Sequence, residues 1–286
     1  MEPLISSYGE RLGILTADRG PLCVGVDPHP SLLASWGLTT NAHGLERCAR
    51  GMIEALGELV PVFKPQSAFF EAYGAAGIAV LERTLADIKA VGAISLLDVK
   101  RGDIGSTMDA YAAAYLSDGS PLAADAITLS PYLGFGSLDG AIELADREGR
   151  GVYVLALTSN PEGPQIQRAR AADRRTVGQM IIDEAASRNA VRRKPGASLG
   201  PVGVVVGATI GHTETEFSAL GGSILAPGIG AQGGTAADLP TVFKDAIRFV
   251  LPSTSREVMS AGPTPAGLQA AATRVLGEMK AAIGLR

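Results

Sequence analysis

The chain has 286 residues, 46% of them hydrophobic, enough to bury a large core as one α/β domain or two smaller ones and too many for a disordered segment. A formal net charge of −4 and a pI near 5.5 exclude the basic footprint of a nucleic-acid or anionic-membrane binder, so any phosphate recognition has to be local. Cys23 and Cys48 lie in apolar patterns without CxxC spacing and read as reduced core residues. The opening MEPLISSYGERL lacks the regions of a signal peptide, and no apolar stretch reaches the roughly 20 residues that span a bilayer; a soluble cytoplasmic protein is expected.

Eight short apolar runs follow along the chain: LCVGV (22–26), VPVFK (60–64), AISLLDV (93–99), DAITL (125–129), VYVLAL (152–157), VGVVVG (202–207), SILAPG (223–228) and IRFVLP (247–252). Between them Leu45, Cys48, Met52 and Leu56 recur at helical spacing, as do Ile78, Leu81, Leu85 and Ile88. Strict alternation of strand and helix implies parallel strands with crossover helices. Eight such units predict a single (β/α)8 TIM barrel spanning the chain, with a doubly wound open sheet as the alternative. SRNAVRRKPGASLG (187–200) reads as a loop insertion whose Arg192, Arg193 and Lys194 form a solvated turn, and the charged stretch 162–175 as a solvated helix.

In a parallel barrel the active site gathers at the C-terminal strand ends. The third run ends in LLDVKRGDIGST (96–107), where Asp98 and Lys100, two apart, point to one side. Gly102 and Gly105 then break the strand, so Asp103 belongs to the loop. Asp27 ends the first run and Lys64 the second, so three neighbouring strands deliver charge to one rim. Such a concentration is costly unless the charges pair with one another or with a ligand. PGIGAQGG (227–234) formally matches the dinucleotide fingerprint GxGxxG, but it follows the seventh strand and no acid lies at the expected distance. It fits better the phosphate site that many barrels build after strands seven and eight, with exposed backbone N–H groups cradling the anion and Arg256 closing it; glycines that serve only tight turns are the alternative. Arg248 is the fallback for that arginine. His29, His43 and His212 are scattered and fit no zinc spacing.

DVKRGDI resembles the D-x-K-x-x-D-I signature of the orotidine 5′-phosphate decarboxylases, and FKPQ, TSNPEG, APGIGAQGG and the late arginine extend the resemblance from the first strand to the eighth. VDPHP, FKPQSAFFE, DVKRGDIGST and SPYLG are most similar to the longer bacterial (type 2) branch. The resemblance implies a carboxy-lyase that converts orotidine 5′-monophosphate to uridine 5′-monophosphate and carbon dioxide, the last step of de novo pyrimidine nucleotide synthesis, without metal or organic cofactor. It implies Lys100 as proton donor to C6, Asp98 beside the substrate carboxylate, and Lys64 and Asp103 completing a Lys–Asp–Lys–Asp network. It further implies a homodimer with shared sites, in which Asp103, Ile104 and Thr107 reach the neighbouring subunit. Asp27 would contact the ribose and Ser159, or Thr158 beside it, the pyrimidine. Gln232, Gly233 and Arg256 would bind substrate in the phosphate region. Two alternatives remain at this point: a metal-dependent sugar-phosphate aldolase or synthase, and a phosphate-binding barrel without chemistry.

Overall fold

Each of the eight apolar runs contributes a strand: β1 (Cys23–Val26), β2 (Val62–Pro65), β3 (Ile94–Arg101), β4 (Ala126–Leu129), β5 (Gly151–Leu157), β6 (Val202–Val206), β7 (Ile224–Pro227) and β8 (Val250–Thr254). All pair in parallel with their chain neighbours, and β8 returns to β1, closing the barrel. The architecture is the expected (β/α)8 barrel, and the open sheet is excluded by the β1–β8 pairing. These features belong to a computed structural model that describes residues 6–194, 197–211, 214–230 and 233–284.

Side-chain alternation along the strands divides the core in two. Cys23, Val62, Leu96, Ala126, Tyr153, Val205, Leu225 and Leu251 pack inside the barrel. Val24, Phe63, Leu97, Ile127, Val154, Val204 and their kind face the surrounding helices. Leu45, Cys48, Met52 and Leu56 are buried on the helix Ala42–Leu56, where the periodicity placed them. Asn41 starts that helix by accepting the N–H of Gly44. The inward row of each strand also defines what reaches the mouth: continuing it beyond the core layer gives Asp27, Lys64, Asp98, Lys100 and Thr128.

Several local expectations are corrected. A helix at Tyr8–Arg19, which strand-centred reading passed over, plugs the N-terminal end of the barrel; Ser7 and Glu10 form its capping box, and Tyr8 and Leu12 join the interior cluster. β8 starts at Val250, because residues 244–249 form a 3-10 helix that carries Arg248 ahead of the strand. The segment 187–200 is no simple loop: Val177–Arg192 is a helix, capped by Thr176, whose buried inner face extends to Asn189. Alternation is also not strict, since no helix lies between β6 and β7 among the described residues. In 162–175 only Gly163–Gln167 is helical, and the rest is a loop pinned by a bridge from Arg170 to Thr176.

Candidate active site

A cavity of about 320 Å³ opens at the C-terminal end of the barrel. Asp27, Lys64, Asp98 and Lys100 line it, together with Ser159 from the β5 end, Gly228 and Ile229 from the β7 end, and Arg256 just beyond β8. The sequence-predicted charges are thus brought to one place by the inward row of three adjacent strands.

Asp98 is the hub. It is 6% exposed, and its carboxylate accepts from Lys64 Nζ at 3.2 Å, from Lys100 Nζ at 2.7 Å to each oxygen, from Gln66 Nε2 at 2.8 Å and from Thr128 Oγ1 at 2.7 Å. Burial works against its ionisation, yet Lys64, Lys100 and the hydrogen bonds outweigh that and hold the carboxyl well below the usual carboxylate range. Lys64, 7% exposed, is likewise opposed by burial but held charged, well above the usual lysine value, by Asp98 and Asp27. An ammonium has three N–H donors. Lys100 directs two hydrogen bonds to Asp98, while its side chain remains 47% exposed at the cavity.

Lys100 also departs from strand geometry. Its φ is +45°, in the left-handed region, and the pairing of β3 with β4 shifts register between Leu97 and Arg101. A residue with a Cβ pays roughly 1–2 kcal/mol for this conformation. Strain of this kind collects where the surroundings over-determine a functional geometry. Here the Lys100 N–H donates to Thr128 Oγ1 at 2.9 Å. Beyond it, the Arg101 guanidinium bonds Glu71 at 2.8 Å and packs against the rings of Tyr111 and Tyr115.

Asp27 Oδ1 is buried with no hydrogen-bond partner among the described residues, although Asp27 lines the cavity. An anionic acceptor left in this state calls for a donor from a ligand. Thr158 and Ser159 both line the cavity; the Thr158 hydroxyl donates to Asn160 Oδ1 at 2.6 Å and accepts from Gln167 Nε2 at 2.7 Å. Arg256 is exposed and has no carboxylate partner among the described residues. Arg248 instead stacks on Phe249 at 4.6 Å, upstream of β8 and so at the far end of a parallel strand from the cavity.

Other expected residues are not gathered in the cavity. Asp103 is absent from its lining, and its Oδ1 accepts the adjacent Ile104 N–H at 2.8 Å. Ile104 is 62% exposed and Thr107 is exposed as well. Within one chain the network therefore joins Lys64, Asp98 and Lys100 but not Asp103. Gln232 lies outside the described residues, as does His212. The glycine loop corrects another expectation: Gly230 N–H donates to Gly234 O at 2.7 Å, Gly233 N–H to Gly230 O at 2.9 Å and Gly234 N–H to Gly228 O at 3.2 Å. Those three groups close the loop on itself rather than pointing at an anion, and positive φ at Gly228, Gly230 and Gly233 makes that closure possible. Among the described residues no group of three or more His, Cys, Asp or Glu side chains could hold a metal ion, and no helix is long and apolar enough to cross a membrane.

Sequence reading missed Gln66 and Thr128. Both sit on the inward row, two residues after Lys64 and two after Ala126, so strand parity could have found them. Neutral side chains gave no charge signal to draw attention there.

Comparison with known proteins places the chain in a family. The family model described as orotidine 5′-phosphate decarboxylase / HUMPS family matches residues 20–268. An orotidine 5′-phosphate decarboxylase of Salinispora arenicola is 57% identical over 98% of this chain and 99% of its own. A Streptomyces avermitilis chain of known structure superposes with a TM-score of 0.93 at 52% identity, covering 98% of this chain and 96% of that one. The OMP decarboxylase of Leishmania donovani gives a TM-score of 0.77 at 30% identity, covering 98% and 100%. With the family model spanning all eight strands and the relatives nearly the whole chain, the chain belongs to the orotidine 5′-phosphate decarboxylase family.

Proposed function

We propose that this protein decarboxylates orotidine 5′-monophosphate to uridine 5′-monophosphate and carbon dioxide, in the cytoplasm, as the last step of de novo pyrimidine nucleotide synthesis. The observation that carries the reading is the Lys64–Asp98–Lys100 array at the cavity, in which Lys64 and Asp98 are buried and Lys100 is open to the cavity. The names of the relatives favour it over a sugar-phosphate synthase.

Breaking the bond from C6 to the carboxylate leaves an electron pair on C6, with no carbonyl placed to delocalise it. Stabilisation has to come from charge fixed beforehand. In the proposed mechanism the Lys100 ammonium faces C6, stabilises the developing negative charge and delivers the proton that completes the product. Asp98 sits beside the substrate carboxylate, and their repulsion is relieved as carbon dioxide departs. Lys64 keeps Asp98 ionised in spite of its burial. No step draws on a metal or organic cofactor. Asp27, whose Oδ1 has no partner among the described residues, receives the ribose hydroxyls; Ser159 contacts the pyrimidine; Arg256 and Gln232 take the phosphate. Phosphate binding remote from the reacting bond can then be used to close loops and exclude water.

The fourth charge of the network comes from a second subunit. Asp103, Ile104 and Thr107 do not line their own cavity and would complete that of a partner in a homodimer. Lys100→Ala and Asp103→Ala, each inactive alone, are expected to recover activity on mixing, because a two-fold mixed dimer keeps one intact site. With free exchange about half the dimers are mixed, so recovery approaches about a quarter of natural activity. No recovery after demonstrated subunit exchange would refute site sharing.

The function itself is tested by ultraviolet absorbance of orotidine 5′-monophosphate mixed with the purified protein and excess chelator. Metal-independent conversion to uridine 5′-monophosphate is the expected result. A folded dimer that leaves the substrate unchanged would overturn the reading.

A further inference from the structure

Thr128 stands between the two charged groups at the end of β3. Its side chain is buried, 1% exposed, on the inward row of β4. The hydroxyl accepts the Lys100 N–H at 2.9 Å and donates its proton to Asp98 Oδ1 at 2.7 Å. One hydroxyl has one proton and two lone pairs, so it makes both bonds at once. The direction of each is forced, since a backbone N–H can only donate and an ionised carboxylate can only accept.

This pair of hydrogen bonds meets a specific need. Lys100 holds a left-handed φ of +45° at a register shift, where the regular β3–β4 ladder gives its N–H no carbonyl. Without an acceptor the backbone would gain by relaxing toward ordinary strand geometry, and the ammonium would swing with it. Arg101 anchors the chain on the far side, with its guanidinium bonded to Glu71 and its carbonyl accepting Ser130 N–H at 2.8 Å. Thr128 is the anchor on the near side. Through its proton it also fixes the rotation of the Asp98 carboxylate, whose other oxygen is held by Gln66 at 2.8 Å and Lys64 at 3.2 Å.

We infer that Thr128 is a positioning residue, whose hydroxyl locks Lys100 in its strained conformation and sets the Asp98 carboxylate so that the ammonium is presented to the cavity. Only the catalytic readout of this inference rests on the decarboxylase reading; the structural readout does not. Valine has the shape of threonine without the hydroxyl, and serine has the hydroxyl without the methyl group. The two substitutions therefore separate bonding from packing.

The experiment compares Thr128→Val and Thr128→Ser in the full-length protein, by steady-state kinetics with orotidine 5′-monophosphate and by amide hydrogen exchange at Lys100. Thr128→Val is expected to lower kcat by about 10- to 100-fold with KM changed by less than about threefold, since a displaced reacting group costs rate rather than affinity. Thr128→Ser is expected to stay within about threefold of the natural protein, because the charge-assisted bond survives. In Thr128→Val the Lys100 amide should exchange at least about tenfold faster, while Leu96 and Leu97 in the intact ladder keep their protection. A kcat within about twofold in Thr128→Val, equal impairment in both variants, or unchanged Lys100 exchange overturns the inference. Should Thr128→Val not fold, Thr128→Ala supplies the same comparison. If the natural protein leaves the substrate unchanged, the decarboxylase reading fails by itself. Lys100 exchange then decides alone: acceleration in Thr128→Val supports the role of Thr128, and unchanged exchange removes it.

Discussion

Lys100→Ala is expected to lower kcat for orotidine 5′-monophosphate at least about ten-thousandfold, because one side chain supplies both proton transfer and charge stabilisation, each commonly worth a hundredfold or more. The fold should survive. Lys100 is 47% exposed at the open end of β3 and packs little, and Asp98 keeps Lys64, Gln66 and Thr128 as donors when it is gone. The backbone strain is unchanged too, since alanine and lysine both carry a Cβ into the left-handed conformation. The check is kcat together with the melting temperature. A variant melting within a few degrees of the natural protein yet turning over within about tenfold of its rate would remove Lys100 from the proton-donor role.

The legibility of this site in the sequence has a physical basis. Charge at the end of an apolar run is conspicuous, because a core strand carries no charge without a reason, and strand parity then places Asp98 and Lys100 on one side. Both features were visible, and the geometry bears them out. What was hidden depends on the third dimension. The left-handed turn at Lys100 has no glycine to announce it, and its partner Thr128 is a neutral residue on another strand. The glycine loop after β7 misled in detail: its glycines were expected to present N–H groups to an anion, but at Gly230, Gly233 and Gly234 the N–H groups serve loop closure.

The barrel was legible for a similar reason, since eight buried strands leave eight apolar runs. Boundaries failed where another element shares the apolar signal. Ile247 and Phe249 extend the run of β8 in sequence but belong to a 3-10 helix packed on the core. The helix Tyr8–Arg19 has too few apolar residues to be conspicuous. It is held instead by its capping box and by Tyr8, whose hydroxyl meets that of Tyr153 at 3.0 Å inside the barrel.

Asp98→Ala is the substitution expected to damage both activity and stability. It takes the one carboxylate bonded to Lys64 among the described residues out of a site where Lys64 is 7% exposed, and Asp27 remains as the nearby counter-charge. Breaking a buried ion pair from one side typically costs about 3–5 kcal/mol, because the other charge is left uncompensated. Lys64→Met/Asp98→Ala should therefore regain part of the loss while remaining inactive. The pH dependence gives the sharper signature. In the natural protein the Asp98 carboxyl is depressed, so its contribution is present above its unfolded value of roughly 3.9 and is lost as pH falls toward the folded one. Lys64 is raised, so its contribution is present below roughly 10.4 and is lost only as pH rises through the folded value. Removing Asp98 reverses the sign for Lys64, because burial then dominates and favours the neutral amine. The stability gap between Asp98→Ala and the natural protein should accordingly narrow as pH rises from about 7 to about 10, and narrow again below about 4 as the natural protein loses its carboxylate. Chemical denaturation across that range measures it. A gap that stays constant with pH, or no loss of stability at neutral pH, would mean that the Lys64–Asp98 pair does not hold the charged array together.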